Sequence, residues 1–205
     1  MNRRYALVMT IALVTALPLT AAASNPQPTG TISCSIVGPA SSAPAKGITF
    51  RPFIDADPRS VRIGVTNLAS TCDDSGVTGA KAPIVHVVAR FTSKMLHGTC
   101  AELTTAPVFD GGHVRLKWQG VNPAGHTFTV ASSRATLANA SYDGSSDALI
   151  LVTQPIATGA FRGATATLHL GFDYATAFKE ICDGHGSAFA AMPFGETNPS
   201  SVDVQ

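Results

Sequence analysis

His113-Val114-Arg115-Leu116-Lys117-Trp118 alternates polar and apolar residues without a break. A period of two puts Val114, Leu116 and Trp118 on one face and His113, Arg115 and Lys117 on the other. This is the pattern of an antiparallel strand with one buried and one solvated face. The same period recurs to either side. In Val61-Arg62-Ile63-Gly64-Val65-Thr66 the valines and the isoleucine share a face, and Ala164-Thr165-Ala166-Thr167-Leu168-His169-Leu170 continues its inward face to Phe172. Segments 48–53, 84–91, 128–137 and 148–152 bring the set to about seven strands. Leu149-Ile150-Leu151-Val152 is apolar on both faces and belongs centrally in the sheet or under a covering segment.

The connections at 55–60, 73–79, 110–112, 122–125, 143–147 and 158–163 are rich in Gly, Pro, Asp and Ser, residues that accept turn geometry. One stretch departs from the period. Tyr174, Phe178 and Ile181 recur at helical spacing, with Asp173 placed to cap and Gly184 to stop, which predicts a short helix over 174–182. Cys100-Ala101-Glu102-Leu103 suits a single helical turn. The expected fold is all-β: an Ig-like antiparallel β-sandwich of about seven strands with a short C-terminal helix. The domain is expected over 32–195, after a mobile segment at 24–31 and before a C-terminal tail at 196–205.

Residues 1–23 read as a secretory signal peptide. Arg3 and Arg4 form its positive start, residues 5–19 its apolar run, and Ala21-Ala22-Ala23 its small-residue cleavage site. Tyr5-Ala6-Leu7 after the arginine pair fits a twin-arginine signal poorly. The apolar run is too short for a retained membrane span, and the polar segment 24–30 separates it from Cys34, which argues against a lipid anchor. The expected location is therefore outside the cell, in a compartment where disulfides persist.

Without the leader, 12 Lys+Arg face 13 Asp+Glu, a net charge of −1 with His neutral. That balance offers no basic footprint for nucleic acid and no acidic solvating tail. Charged residues make up 13% of the chain, and Ala, Thr, Gly, Ser and Val abound. Such a composition suits strands with hydroxyl-rich solvent faces better than surface helices.

The four cysteines, Cys34, Cys72, Cys100 and Cys182, allow three pairings. If successive strands run up and down, Cys72 and Cys100 fall at opposite ends of the sandwich, and four further strands return the chain to the Cys100 end for Cys182. Strand parity thus favours Cys34–Cys72 and Cys100–Cys182, although crossing connections between sheets would change the count. No C-x-x-C occurs, and the compartment favours structural bridges over redox or metal roles.

Candidates for chemistry are sparse. Asp183-Gly184-His185 places a carboxylate and an imidazole in one tight loop, close enough in sequence to bind a metal or polarise the Ser187 hydroxyl. Asp143-Gly144-Ser145-Ser146-Asp147 offers oxygens at alternate positions, with Asp143 and Asp147 as its calcium candidates, but it reads first as a turn. His86, His113 and His169 fall on the solvent phase of their strands. No G-x-S-x-G, H-E-x-x-H or phosphate-cradling loop appears, and no cofactor is implied. Trp118 and Tyr174 are in phase with core positions, which leaves Tyr142 to present a ring. Asn139-Ala140-Ser141 is a glycosylation sequon, meaningful in a eukaryotic source; the Ala-rich, Lys-poor composition points to a high-GC bacterium.

Ser33-Cys34, Ile48-Thr49-Phe50-Arg51-Pro52, Cys72, Thr99-Cys100-Ala101, Leu116-Lys117-Trp118 and a late helical segment ending in Cys182 form a recurring layout. In it the chain resembles a broad group of uncharacterised secreted proteins of actinobacteria, over most of its length. Pro52-Phe53 stands where the group usually has two prolines. The resemblance implies an exported, disulfide-bearing β domain. It carries over no functional residue, because no activity or ligand is attached to the group. The expected function is non-catalytic binding outside the cell or at its surface, to an extracellular or envelope partner, with no nucleic acid and no membrane span. The competing class is an extracellular hydrolase built around Asp183 and His185.

Overall fold

The computed structural model describes residues 26–36, 48–51, 59–65, 70–105, 107–146, 148–171, 190–192 and 200–205. In chain order these form β1 (Thr29–Gly30), β2 (Ile32–Ile36), β3 (Ile48–Arg51), β4 (Arg59–Val65), β5 (Ser70–Asp73), β6 (Val77–Thr78) and β7 (His86–Gly98). After them come α1 (Cys100–Thr105), β8 (Phe109–Val121), β9 (Thr127–Asp143), β10 (Ala148–Thr153), β11 (Thr158–Gly159), β12 (Ala166–Gly171), β13 (Ala190–Met192) and β14 (Ser200–Val204). β1 and β6 make a two-stranded ribbon, and the rest belong to one sheet of 12 strands in the order β13-β3-β4-β7-β8-β9-β10-β12-β14-β2-β5, with β11 beside β9.

The sheet is continuous because β9 changes partners along its length. Residues 127–136 pair with β8, whereas residues 137–143 pair with β10. At the far end of the order, the Cys72 amide of β5 donates to the Val85 carbonyl, just ahead of β7. The sheet thus folds over on itself in a sandwich-like manner, and its inward faces share one core. Phe91 of β7, Leu116 and Trp118 of β8, Leu151 of β10, Leu168 of β12 and Val202 of β14 are all buried there. Trp118 meets Phe161 edge-on, with ring centroids 4.9 Å apart.

Several expectations are corrected. The seven-strand Ig-like sandwich with a C-terminal helix gives way to a 12-stranded sheet accompanied by the two-stranded β1–β6 ribbon. The helix among the described residues is α1, whereas the last described element is a strand; residues 174–182 lie outside the described residues. Ser200–Val204, expected in a tail, is β14, paired between β12 and β2 with Val202 and Val204 buried. Five residues beginning Ser-Ser carry little strand signal of their own, and the pairing on both edges supplies what propensity does not. Near the other end, Thr29 and Gly30 pair with Thr78 and Val77, and the Phe161 amide donates to the Pro28 carbonyl, so residues 28–30 are tied to the rest of the domain by backbone hydrogen bonds. Asp110-Gly111-Gly112, expected as a connection, is a bulge inside β8. Two residues there oppose Lys94 alone, and Gly111 takes a φ of 66°.

Cys34 and Cys72 lie directly opposite each other on β2 and β5 and are joined by a disulfide. The Cys100–Cys182 pairing rests on Cys182, outside the described residues. β10 sits centrally between β9 and β12, with Leu149 and Leu151 buried and Ile150 and Val152 half-buried. Tyr142 is half-buried against the core and does not present a free ring.

Candidate functional site

Among the described residues, the β9–β10 hairpin gathers a constellation with catalytic residue types. Asp143 closes its turn: Oδ1 accepts from the Ser145 amide at 2.9 Å and hydroxyl at 2.7 Å, and Oδ2 accepts from the Ser146 hydroxyl at 2.6 Å. These donors, Ser146 foremost, stabilise the carboxylate and hold Asp143 down at about 2. Ser146 Oγ also lies 3.3 Å from His169 Nε2, which reaches it from β12. Serine, histidine and aspartate are therefore adjacent. Their order is wrong for nucleophilic catalysis, which needs the hydroxyl proton directed at an imidazole oriented by the acid. Here the Ser146 proton goes to Asp143, and the remaining contact leaves His169 as donor to Ser146. The set closes a turn and ties it to β12; it activates no hydroxyl.

Of the two calcium candidates, the geometry describes Asp143 alone. Both Asp143 oxygens are engaged by the turn itself, and Asp147 lies outside the described residues. Among the described residues no three His, Cys, Asp or Glu side chains are placed to hold a metal. Asp183, His185 and Ser187 also lie outside the described residues. His113 is exposed on the solvent phase of β8, whereas His86 and His169 are half-buried on theirs.

A second cluster spans β2, β5 and β14. Asp203 accepts from Ser33 Oγ at 2.5 Å and from Ser201 Oγ at 2.7 Å. Asp73 is held below its ordinary value by the Ser75 amide and hydroxyl. Both carboxylates border a depression of about 190 Å³. Another, of about 220 Å³, lies between Phe109 and Leu137. Both fall below the roughly 300–1,000 Å³ typical of small-molecule sites.

The outward sheet faces are more informative. Strands β3, β4, β7, β8 and β9 contain eight Lys and Arg but only two acids, Asp110 and Asp143, each at or next to a strand end. Strands β2, β5, β10, β12 and β14 contain no Lys or Arg and two acids, Asp73 and Asp203. The first block aligns Arg90, Arg115 and Arg134 in one cross-strand row. Arg62 opposes Lys94 on β4 and β7. Lys117 follows Arg115 two residues on, and all six cations are exposed. Sequence reasoning missed this because neighbours on one face come from strands far apart in sequence, and a net charge near zero conceals the separation.

Fold and site together define a disulfide-bonded all-β domain with, among the described residues, a cationic part of the sheet and no cluster of catalytic groups wired for chemistry. No protein-family model, curated protein or solved structure matches the chain.

Proposed function

We propose that this chain is an exported, disulfide-stabilised, non-catalytic domain that acts by binding outside the cell or at its surface. The observation that carries the reading is the confinement of Lys and Arg, among the described strands, to β3, β4, β7, β8 and β9, which gives that part of the sheet a broad cationic surface. Export is supported by the leader-like residues 1–23 and by the cross-strand disulfide, a bond favoured in oxidising compartments. The reversed polarity of the Asp143–Ser146–His169 set supports the non-catalytic part.

Two measurements test it. Protein recovered from the medium or envelope should begin near Ser24 by mass spectrometry, and pull-down from the native envelope should return a reproducible partner. Turnover in a panel of hydrolase substrates, lost in His185→Ala, would replace binding with catalysis.

A further inference from the structure

The row Arg90–Arg115–Arg134 is unusual on electrostatic grounds. Directly opposed residues on antiparallel strands have Cβ atoms roughly 4.5–5.5 Å apart, and like charges so placed destabilise the sheet. Three arginines in register, with Lys117 next along β8 and Arg62 and Lys94 at the neighbouring corner, form a square of positive charge. Four strands at about 4.8 Å spacing make it roughly 15 Å across. The stretches 86–94, 113–121 and 127–136 contain no Asp or Glu, and the acid bordering the square on these strands is Asp110, in the bulge opposite Lys94.

From this we infer that the outward face of β4, β7, β8 and β9 binds a linear acidic polysaccharide. The inference rests on the binding reading above and names its partner. Three observations select this occupant. Four of the six cations are arginines, whose planar forks suit sulfate, phosphate and carboxylate groups. Exposed hydroxyls flank the arginine row: Thr92 and Thr136 lie beside His113 in the row on one side of it, and Ser132 opposes Lys117 in the row on the other. They match the hydroxyls of a sugar chain as readily as its charges. The face also lacks Phe, Tyr and Trp rings. Phe91 and Trp118 point into the core, and Phe128 stands over Gly120 on the inward phase.

The missing rings argue against single-stranded nucleic acid, which stacks its bases on aromatic side chains. The patch also lacks the Trp, Phe or Leu that anchor a peripheral protein in a bilayer.

The test uses the full mature chain with dextran sulfate and polygalacturonate as probes and neutral dextran as the blank. The parent should bind both acidic polymers and not the blank, with affinity falling as sodium chloride rises. The triple variant Arg90→Gln, Arg115→Gln, Arg134→Gln should bind at least about tenfold more weakly, three surface contacts at the middle of the range for exposed ion pairs. It should melt no lower than the parent, because the substitutions remove repulsion; that separates lost binding from lost folding. Asp73→Asn with Asp203→Asn, on the opposite face, should not weaken binding.

Undiminished affinity in the triple variant would overturn the inference. So would retention on duplex DNA or anionic phospholipid vesicles without retention on either acidic polymer. Either result leaves non-catalytic binding standing, whereas turnover in the hydrolase panel removes that reading whatever the polymers do.

Discussion

Trp118 Nε1 donates a 2.8 Å hydrogen bond to Ser133 Oγ on the neighbouring strand, and Ser133 passes its own proton to the Ala160 carbonyl at 2.7 Å. Both side chains are buried, so this relay satisfies the only polar atom of the largest core residue and a loop carbonyl together. It also fixes the loop after β11, where Phe161 adopts a φ of 56° and lays its ring against the indole.

Ser133→Ala should cost about 1–3 kcal/mol, because it leaves the indole N–H buried without an acceptor. Trp118→Phe in the Ser133→Ala background should recover part of that loss by removing the orphaned donor. Chemical denaturation of the four-member cycle checks both, and equal stability of Ser133→Ala and the parent would show that the relay contributes nothing.

The Cys34–Cys72 bridge closes a span of 38 residues. The chain-entropy relation gives about 4 kcal/mol for such a loop, before any strain. Replacing both cysteines with serine should lower stability by roughly 2–5 kcal/mol. Peptide mapping without reduction should recover Cys34 linked to Cys72, and a Cys72–Cys100 peptide would contradict the cross-strand pair.

Acid should weaken the β9–β10 turn progressively below the pH at which ordinary surface carboxylates begin to protonate. Asp143 is held at about 2 against an ordinary 3.8. A carboxyl depressed in the folded state contributes stability that is present in full above the unfolded value and lost as pH falls through the folded one. The window for Asp143 therefore runs from about 4 down to about 2. Asp73, lowered by Ser75, acts in the same sense. Thermal melts from pH 5 to 2 should show a shallower acid decline in Asp143→Ala than in the parent, and the Asp143 carboxyl should titrate near 2 by NMR.

Gly159 has a φ of 91°, and a Cβ there would collide with the Ser132 carbonyl. Gly159→Ala should destabilise by more than about 1 kcal/mol through the left-handed backbone and the collision together. Gly125, also at positive φ but with open space around its Cβ position, should tolerate alanine better. The difference in melting temperature between the two variants separates steric from conformational cost.

Strands with a single buried face were legible in the sequence. Val114, Leu116 and Trp118 are all buried as their alternation requires, and so are Ala166, Leu168 and Leu170. The limits came where partners, not patterns, decide. β9 runs to Asp143, past the expected end at Leu137, because a second neighbour takes over where the first leaves off. The bulge at Gly111 looks like a loop in composition because a left-handed residue is needed in either setting. Candidate chemistry followed the same rule. The adjacency of Ser146 to His169 and the row Arg90–Arg115–Arg134 are products of register, which no single strand's sequence encodes.

The position of β14 in the sheet sets a chronology. β2 and β5 are made early, yet β2 lies between β5 and a strand that includes residue 204, and the Gly171 amide finds its acceptor in Ser200 Oγ. Until that late segment emerges, one edge of β2 and one edge of β12 stay open, each a template for the wrong partner. Strands β4, β7, β8, β9, β10 and β12 pair in chain order and need nothing from β14, so what waits is the joining of β2 and β5 to the rest of the sheet.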